Sequence, residues 1–290
     1  DWIAMLGITC FYAVIAFYQL GNTTNPKTEY TMPYYTYLDL SAENGEPIGS
    51  LSWYLLNEQD NDFSLEVLNE TTGEWTYVQD FTMKSVFSWG ILELSEPAKA
   101  IRITNLTADA NIGELVLRDI HGNILPVQNA AYYPSLFDEA DTYPDAINHL
   151  SGCYFDEIYY TRTAYEFIHG LPTYENTHPP FGKILISWSA RLLGTTPFGF
   201  RFAGALFGVL MLPFMYLLGR NITRNRALGA FVCFIFAFDF MHFTQTRLTT
   251  IDVFVTFFII VMYYFMERYI NLSFYDTSLK KTWIPLGACG

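Results

Sequence analysis

Long apolar runs bracket a stretch of short alternating ones. Residues 2–20 are nearly free of charge. In a helix rising 1.5 Å per residue they can cross a bilayer core of roughly 30 Å. A signal peptide would need a small-residue cleavage pattern before Gly21, and aromatics run throughout instead, so the run predicts a membrane anchor over 1–20. Residues 21–33 are turn-rich. From 34 to 127 apolar and polar positions alternate in short runs, at 51–55, 63–67, 75–78, 101–103 and 115–117. Thr72-Gly73 and His121-Gly122-Asn123 punctuate them. Strands at roughly ten-residue spacing predict an antiparallel β-sandwich, placed at 28–128.

Residues 129–153 are irregular and acidic, with Asp138, Glu139, Asp141 and Asp145 near Pro134 and Pro144. A solvated loop and a cation site both fit, the loop better. Residues 156–170 suit a helix closed by Gly170, with Tyr159, Tyr160, Thr163 and Phe167 following Asp156 along one face. Residues 181–193 suit another, opened by Pro179-Pro180 and ended at Gly194. It is too short to span and is expected to lie in the membrane interface. The two helices place an outer loop at 129–196.

Three further apolar spans follow at 198–219, 227–245 and 251–266, carrying Arg201, Asp239 and Asp252 respectively. Together they fill 197–270, and 271–290 reads as a cytoplasmic loop with the start of a fifth span near Trp283. Arg220, Arg224 and Arg226, then Arg268, Lys280 and Lys281, mark the cytoplasmic side by the bias of basic residues. Residues 21–197 are then extracytoplasmic, in a multi-pass protein of the cell membrane. With Asp1 at its start and an apolar segment opening at its end, the chain reads as a fragment of a longer multispanning protein.

Composition sharpens this reading. The 290 residues are 51% hydrophobic and carry a formal net charge of −13. Most of the acids lie in residues 25–180, which gives no support to the basic footprint of a nucleic-acid binder. Of the four cysteines, Cys10 and Cys233 sit in apolar runs and Cys153 alone falls in the polar region, so neither a disulfide framework nor a zinc site is expected.

Candidate chemistry gathers in few places. Asp156 and Glu157 head the first short helix, where a carboxylate can act as general base or merely complement the helix dipole. Neighbouring helix positions diverge by about 100°, so the two need not share a role. Arg247 and Asp252 flank the turn between the last two spans, as a phosphate contact or as a structural pair. Asp239 and His242, three apart within a span, fit a structural pair with each other or with Arg247. His178, Lys183 and Arg162 are cations that either meet a lipid-borne phosphate or anchor to ordinary headgroups. Trp53, Trp75 and Trp89 could stack on a sugar ring, but at least two of the three are expected in the core.

Phe155-Asp156-Glu157, His178-Pro179-Pro180-Phe181-Gly182-Lys183 and Thr246-Arg247-Leu248-Thr249-Thr250-Ile251-Asp252 occur in this order. From Cys153 to about Tyr269 the chain resembles the protein O-mannosyltransferases, polyprenyl-phosphate-dependent glycosyltransferases of the GT-C fold. The strand order resembles a galactose-binding-like jelly roll, and a sandwich inserted this early departs from the eukaryotic pattern and resembles some bacterial members. The resemblance implies that a sugar, mannose by family, moves from a polyprenyl-phosphate carrier to an acceptor hydroxyl, on protein Ser/Thr or on a glycan, in one inverting displacement. It implies Asp156 as the base with Glu157 beside it. Arg247, Lys183, His178 and Arg162 would serve the donor phosphate, and Asp252, Asp239 and His242 would support them. No cofactor is required and no metal ligands are assigned, although an Asp–Glu pair can hold a divalent cation. A carbohydrate-sensing membrane receptor or transporter is the alternative from another class.

Overall fold

The computed structural model describes residues 2–56, 60–84, 87–272, 278, 280 and 283–289. The chain divides into two compact units, Gly21–Ile158 and the combination of Asp1–Leu20 with Tyr159–Gly290. Lys281, one of the basic residues expected on the cytoplasmic side, lies outside the described residues.

The alternating region folds as two antiparallel sheets over one core. The strands are β1 (Tyr30–Met32), β2 (Tyr37–Ser41), β3 (Ile48–Leu55), β4 (Asn61–Leu68), β5 (Trp75–Met83), β6 (Trp89–Ala98), β7 (Ala100–Asn105), β8 (Ala110–Arg118) and β9 (Ile124–Leu125). One sheet runs β1-β8-β3-β6 with β9 on β8; the other runs β2-β7-β4-β5. Two-residue periodicity sets the layers. In β4 Phe63 and Leu65 are buried while Asp62 faces out, and in β7 Ile101 and Ile103 are buried around Arg102. These side chains share their core with Leu51 and Trp53 of β3 and with Leu115 and Leu117 of β8. The five quoted runs lie in β3, β4, β5, β7 and β8. β6 was hidden by Glu93, Glu96 and Pro97, which an edge strand tolerates.

The tryptophans divide as expected, two in the core and one near the surface. Trp53 and Trp89 are each 5% exposed. Gly90 lies so close to Trp53 that an added Cβ would come within 2.3 Å of its indole. Trp75 is half-buried beneath the guanidinium of Arg102, which pairs with Asp39 at 2.6 Å.

The acidic stretch is more ordered than a solvated loop. Glu139 accepts the backbone N–H groups of Lys27 and Thr28, and Asp138 accepts the Thr28 hydroxyl. The Glu139 N–H donates in turn to Glu114, a fully buried carboxyl on β8 whose Oε1 has no hydrogen-bond partner among the described residues. Burial pushes Glu114 up to about 8; the Glu139 N–H opposes this, while Asp138, Glu139 and Asp141 add to it. The folded chain therefore keeps a proton that the unfolded chain loses near its ordinary value of 4.5. Stability from this group is complete below 4.5 and disappears as pH rises through about 8. Urea unfolding of residues 21–158 should show a loss on the order of 2–4 kcal/mol across that window. Glu114→Gln should flatten the profile; an unchanged slope in that variant would remove Glu114 as its cause.

The second unit is helical: α1 (Trp2–Phe17), α2 (Glu157–His169, whose first two residues fall in the β unit), α3 (Pro180–Leu193), α4 (Pro197–Thr223), α5 (Arg226–Ala237), α6 (Phe240–Thr246), α7 (Asp252–Ile270) and α8 (Ile284–Cys289). α4 and α7 are each long and apolar enough to cross a membrane. α5 and α6 together make a third candidate, bent by 57°. α1 is apolar but has 16 residues, fewer than the run of 2–20, since Gln19 takes a left-handed φ of 48° soon after its end. Gly204 and Gly208 bring α4 against the end of α6: an added Cβ on Gly208 would meet the Thr246 side chain at 2.6 Å.

The break between α5 and α6 corrects two expectations. Residues 227–245 do not form one straight span. Asp239 and His242 do not pair through their side chains: Asp239 caps α6 by accepting the His242 backbone N–H at 2.9 Å. An Asp at an N-cap competes with helix continuation, so the chain bends where the carboxylate takes the freed N–H. The buried His242 ring packs instead between Tyr12, at 5.1 Å, and Phe236, at 4.3 Å.

Candidate functional site

The Asp156–Glu157 pair is split by the start of α2. The helix begins at Glu157, which is fully buried, while Asp156 just before it is exposed. The Glu157 carboxylate reaches back to accept the Tyr154 N–H at 3.2 Å, and the Glu157 N–H donates to the Tyr154 carbonyl. These two bonds close the turn 154–157 from which the helix starts. Within this turn Phe155 holds a left-handed φ of 56°, an uncommon conformation for an aromatic residue. One carboxylate is thus built into the helix start and its neighbour is left facing solvent.

The rest of α2, the following loop and α3 form a polar network. The Arg162 guanidinium pairs with Glu166 one turn on, at 3.1 Å, and lies 3.7 Å from the centre of the Tyr174 ring. Glu166, fully buried, also accepts the Tyr174 N–H at 3.0 Å. The next residue, Glu175, binds both His178 and Lys183. Its carboxylate meets the Lys183 ammonium and lies 3.1 Å from His178 Nδ1, and its carbonyl accepts from Lys183 at 2.7 Å. The Tyr160 and His178 rings meet edge to face, with centroids 5.9 Å apart. Burial alone would raise the Glu175 carboxyl, but bonds from Lys183, Thr177 and His178 outweigh it and hold it down at about 2.

Lys183 is only 2% exposed, on a helix whose outward positions are Phe181, Trp188 and Leu192. α3 thus buries Lys183, Ser187 and Ser189 beside Ile186 and Ala190, and exposes large apolar groups beside Arg191. That exposure suits a lipid-facing helix. Beside it lies an apolar cavity of about 480 Å³, lined by Pro179, Phe181 and Gly182 and by Ile251, Phe254 and Phe258 around α7. Gly182 is needed for this approach, since an added Cβ would sit 3.0 Å from Ile251 and Phe254.

Arg247 is placed elsewhere. It follows α6 and donates to the carbonyls of Ile15 at 2.8 Å and Gln19 at 2.7 Å, so it closes the C-terminal end of α1. Arg201, 2% exposed, donates to the Leu20 carbonyl beside it. A cation at those orphan carbonyls is favoured by both hydrogen bonding and the helix dipole. Asp252 is exposed in the first turn of α7. Among the described residues no cluster of three or more His, Cys, Asp or Glu is arranged to hold a metal ion.

Residues 194–288 match the family described as dolichyl-phosphate-mannose-protein mannosyltransferase. Over this stretch the chain resembles the protein O-mannosyltransferase family. It is similar to the polyprenol-phosphate-mannose–protein mannosyltransferase of Mycobacterium tuberculosis (strain CDC 1551 / Oshkosh), with 31% identity over 115 residues, 38% of this chain and 22% of that protein. The protein of the same name from Mycolicibacterium smegmatis (strain ATCC 700084 / mc(2)155) is 30% identical over the same shares. The match thus spans 22% of each relative's length. Among solved structures, CpGH89CBM32-6 produced by Clostridium perfringens aligns with 35% of this chain and 83% of that one, at 15% identity. The TM-score of that alignment is 0.26.

The mannosyltransferase family match begins at Gly194, so the α2–α3 network precedes it. Glu166 and Glu175 were not anticipated from the sequence. The four-residue step from Arg162 to Glu166 is a helical pairing signal that could have found the first. Glu175 lies in a loop, and no periodicity points to it.

Proposed function

We propose that this chain is part of a GT-C-type, multi-pass membrane mannosyltransferase that uses a polyprenyl-phosphate-linked donor and a protein hydroxyl acceptor. The observation that carries this reading is the family match over 194–288, with mycobacterial relatives named for that reaction. The helical unit supports it physically. A polar network with buried cations adjoins an apolar cavity across a single motif, His178 to Lys183. A lipid phosphate presents the same succession of a charged head and an apolar chain.

In this reading Asp156 removes the acceptor hydroxyl proton as the oxygen attacks the anomeric carbon. The bond to the carrier phosphate breaks with inversion, and polyprenyl phosphate leaves. Asp156 suits the part because it is exposed, whereas Glu157 is committed to the helix start. Lys183, His178 and Arg162 supply positive potential toward the leaving phosphate, where charge develops. Arg247 acts from the end of α1 as a positioning residue. The displacement needs no cofactor, since the carrier supplies an activated sugar.

The full-length protein in membranes should transfer label from polyprenyl-phosphate mannose to Ser/Thr peptides. Transfer to glycans alone would redirect the acceptor assignment. Failure to transfer to either, with soluble-sugar binding by residues 28–128, would replace the enzyme with a receptor.

A further inference from the structure

A second cavity, this one polar, lies at the other end of α4 from α3. It measures about 460 Å³ and is lined by Arg220, Asn221, Arg224, Arg226, Glu267 and Asn271. Three arginines and one carboxylate, Glu267, are thus among its lining, and Arg220 donates to Asn221 Oδ1 at 3.4 Å. Asn221 Nδ2 donates to Glu267 at 2.9 Å and Asn271 Nδ2 donates to it at 2.7 Å. We propose that this cavity binds the phosphate of an anionic phospholipid headgroup.

The backbone assembles the arginines deliberately close. α4 ends at Thr223, Arg224 turns the chain with a left-handed φ of 53°, and Asn225 caps α5 so that Arg226 is its first residue. Gly229 allows α5 to pack on Arg220, where an added Cβ would lie 2.8 Å from the arginine Cβ. Gly219 does the same against Val232. The start of α5 adds the positive end of a helix dipole to the arginine charges. Planar guanidiniums suit phosphate oxygens better than point charges do, because their paired N–H groups match the anion's geometry.

The surroundings select a lipid over a free ion. Ile222 is 66% exposed, Leu228 46% and Ile270 67%, and all three belong to the helix ends that form the cavity. Exposed apolar side chains close in sequence to a cationic pocket, at the ends of spanning helices, match a headgroup with its acyl chains alongside. A soluble phosphate has no use for those side chains. This inference is independent of the proposed reaction, because none of these residues belongs to the α2–α3 network.

The test uses the purified full-length protein in detergent, with native mass spectrometry and thermal melting as readouts. Phosphatidylglycerol should bind and raise Tm, whereas phosphatidylcholine and inorganic phosphate should do neither. Arg224→Gln/Arg226→Gln should weaken phosphatidylglycerol binding about 30-fold, a factor of about five for each arginine. Both side chains are exposed, so the fold should persist. Arg224→Lys/Arg226→Lys should retain most of the binding through charge alone. Equal binding of phosphatidylglycerol by the double-Gln variant would overturn the proposal. An equal Tm rise from inorganic phosphate would overturn the lipid assignment, and an equal response to phosphatidylcholine would overturn the role of charge.

Discussion

Asp156→Asn in the full-length protein is expected to leave membrane insertion and Tm unchanged while lowering sugar transfer by about 10²–10⁴-fold, the span typical of a lost general base. The structural basis is the split between the two acids. Asp156 is exposed and precedes α2, so an isosteric amide removes a base without removing a support. Glu157 is buried and bonds the Tyr154 N–H, so Glu157→Gln should show first as lost stability. The two variants separate catalysis from support within adjacent residues. Transfer from labelled polyprenyl-phosphate mannose, measured beside the melting curve, reads both. Near-normal turnover by Asp156→Asn would refute the assignment of the base, and a Tm loss as large as that of Glu157→Gln would make Asp156 a structural residue instead.

Much of the architecture was legible because the hydrophobic period changes with the element. Alternation over 51–55 and 63–67 pointed to strands, and the structure puts β3 and β4 there, β4 alternating in burial and β3 buried on both faces. Gly170 and Gly194 end their helices with φ of 68° and 96°, conformations for which glycine is the default. The break at Asp239 was not legible, because an acid in an apolar run reads equally as a buried functional group and as a cap. Only the backbone geometry distinguishes them. The same limit applied to the cations. Arg247, Lys183 and Arg162 looked available for a phosphate because sequence shows charge but not partner. In a low-dielectric setting a cation acquires acceptors, and these found the α1 carbonyls, Glu175 and Glu166 respectively. Glu175 could not be anticipated, since a loop places its side chain by a path that has no period.

That loop residue carries the second large effect. Glu175→Gln should cost about 3–5 kcal/mol, because it leaves the Lys183 ammonium buried without its counter-charge. The linkage has a definite sign. The Glu175 carboxyl is held at about 2 in the folded chain against an ordinary 4.5. Its contribution is therefore complete above pH 4.5 and is lost as pH falls through about 2, so wild type should lose stability over that acid range while Glu175→Gln loses less. Pairing Glu175→Gln with Lys183→Met removes both charges and should recover most of the lost stability, since a neutral buried pair has no desolvated ion to compensate. Activity then decides what the pair is for. If Lys183 contributes positive potential toward the donor phosphate, the stable double variant remains deficient in transfer, with the loss in kcat rather than in folding. If transfer returns together with Tm, the Lys183–Glu175 pair only fastens the loop to α3, and the donor phosphate must draw its cations from elsewhere in the helical unit.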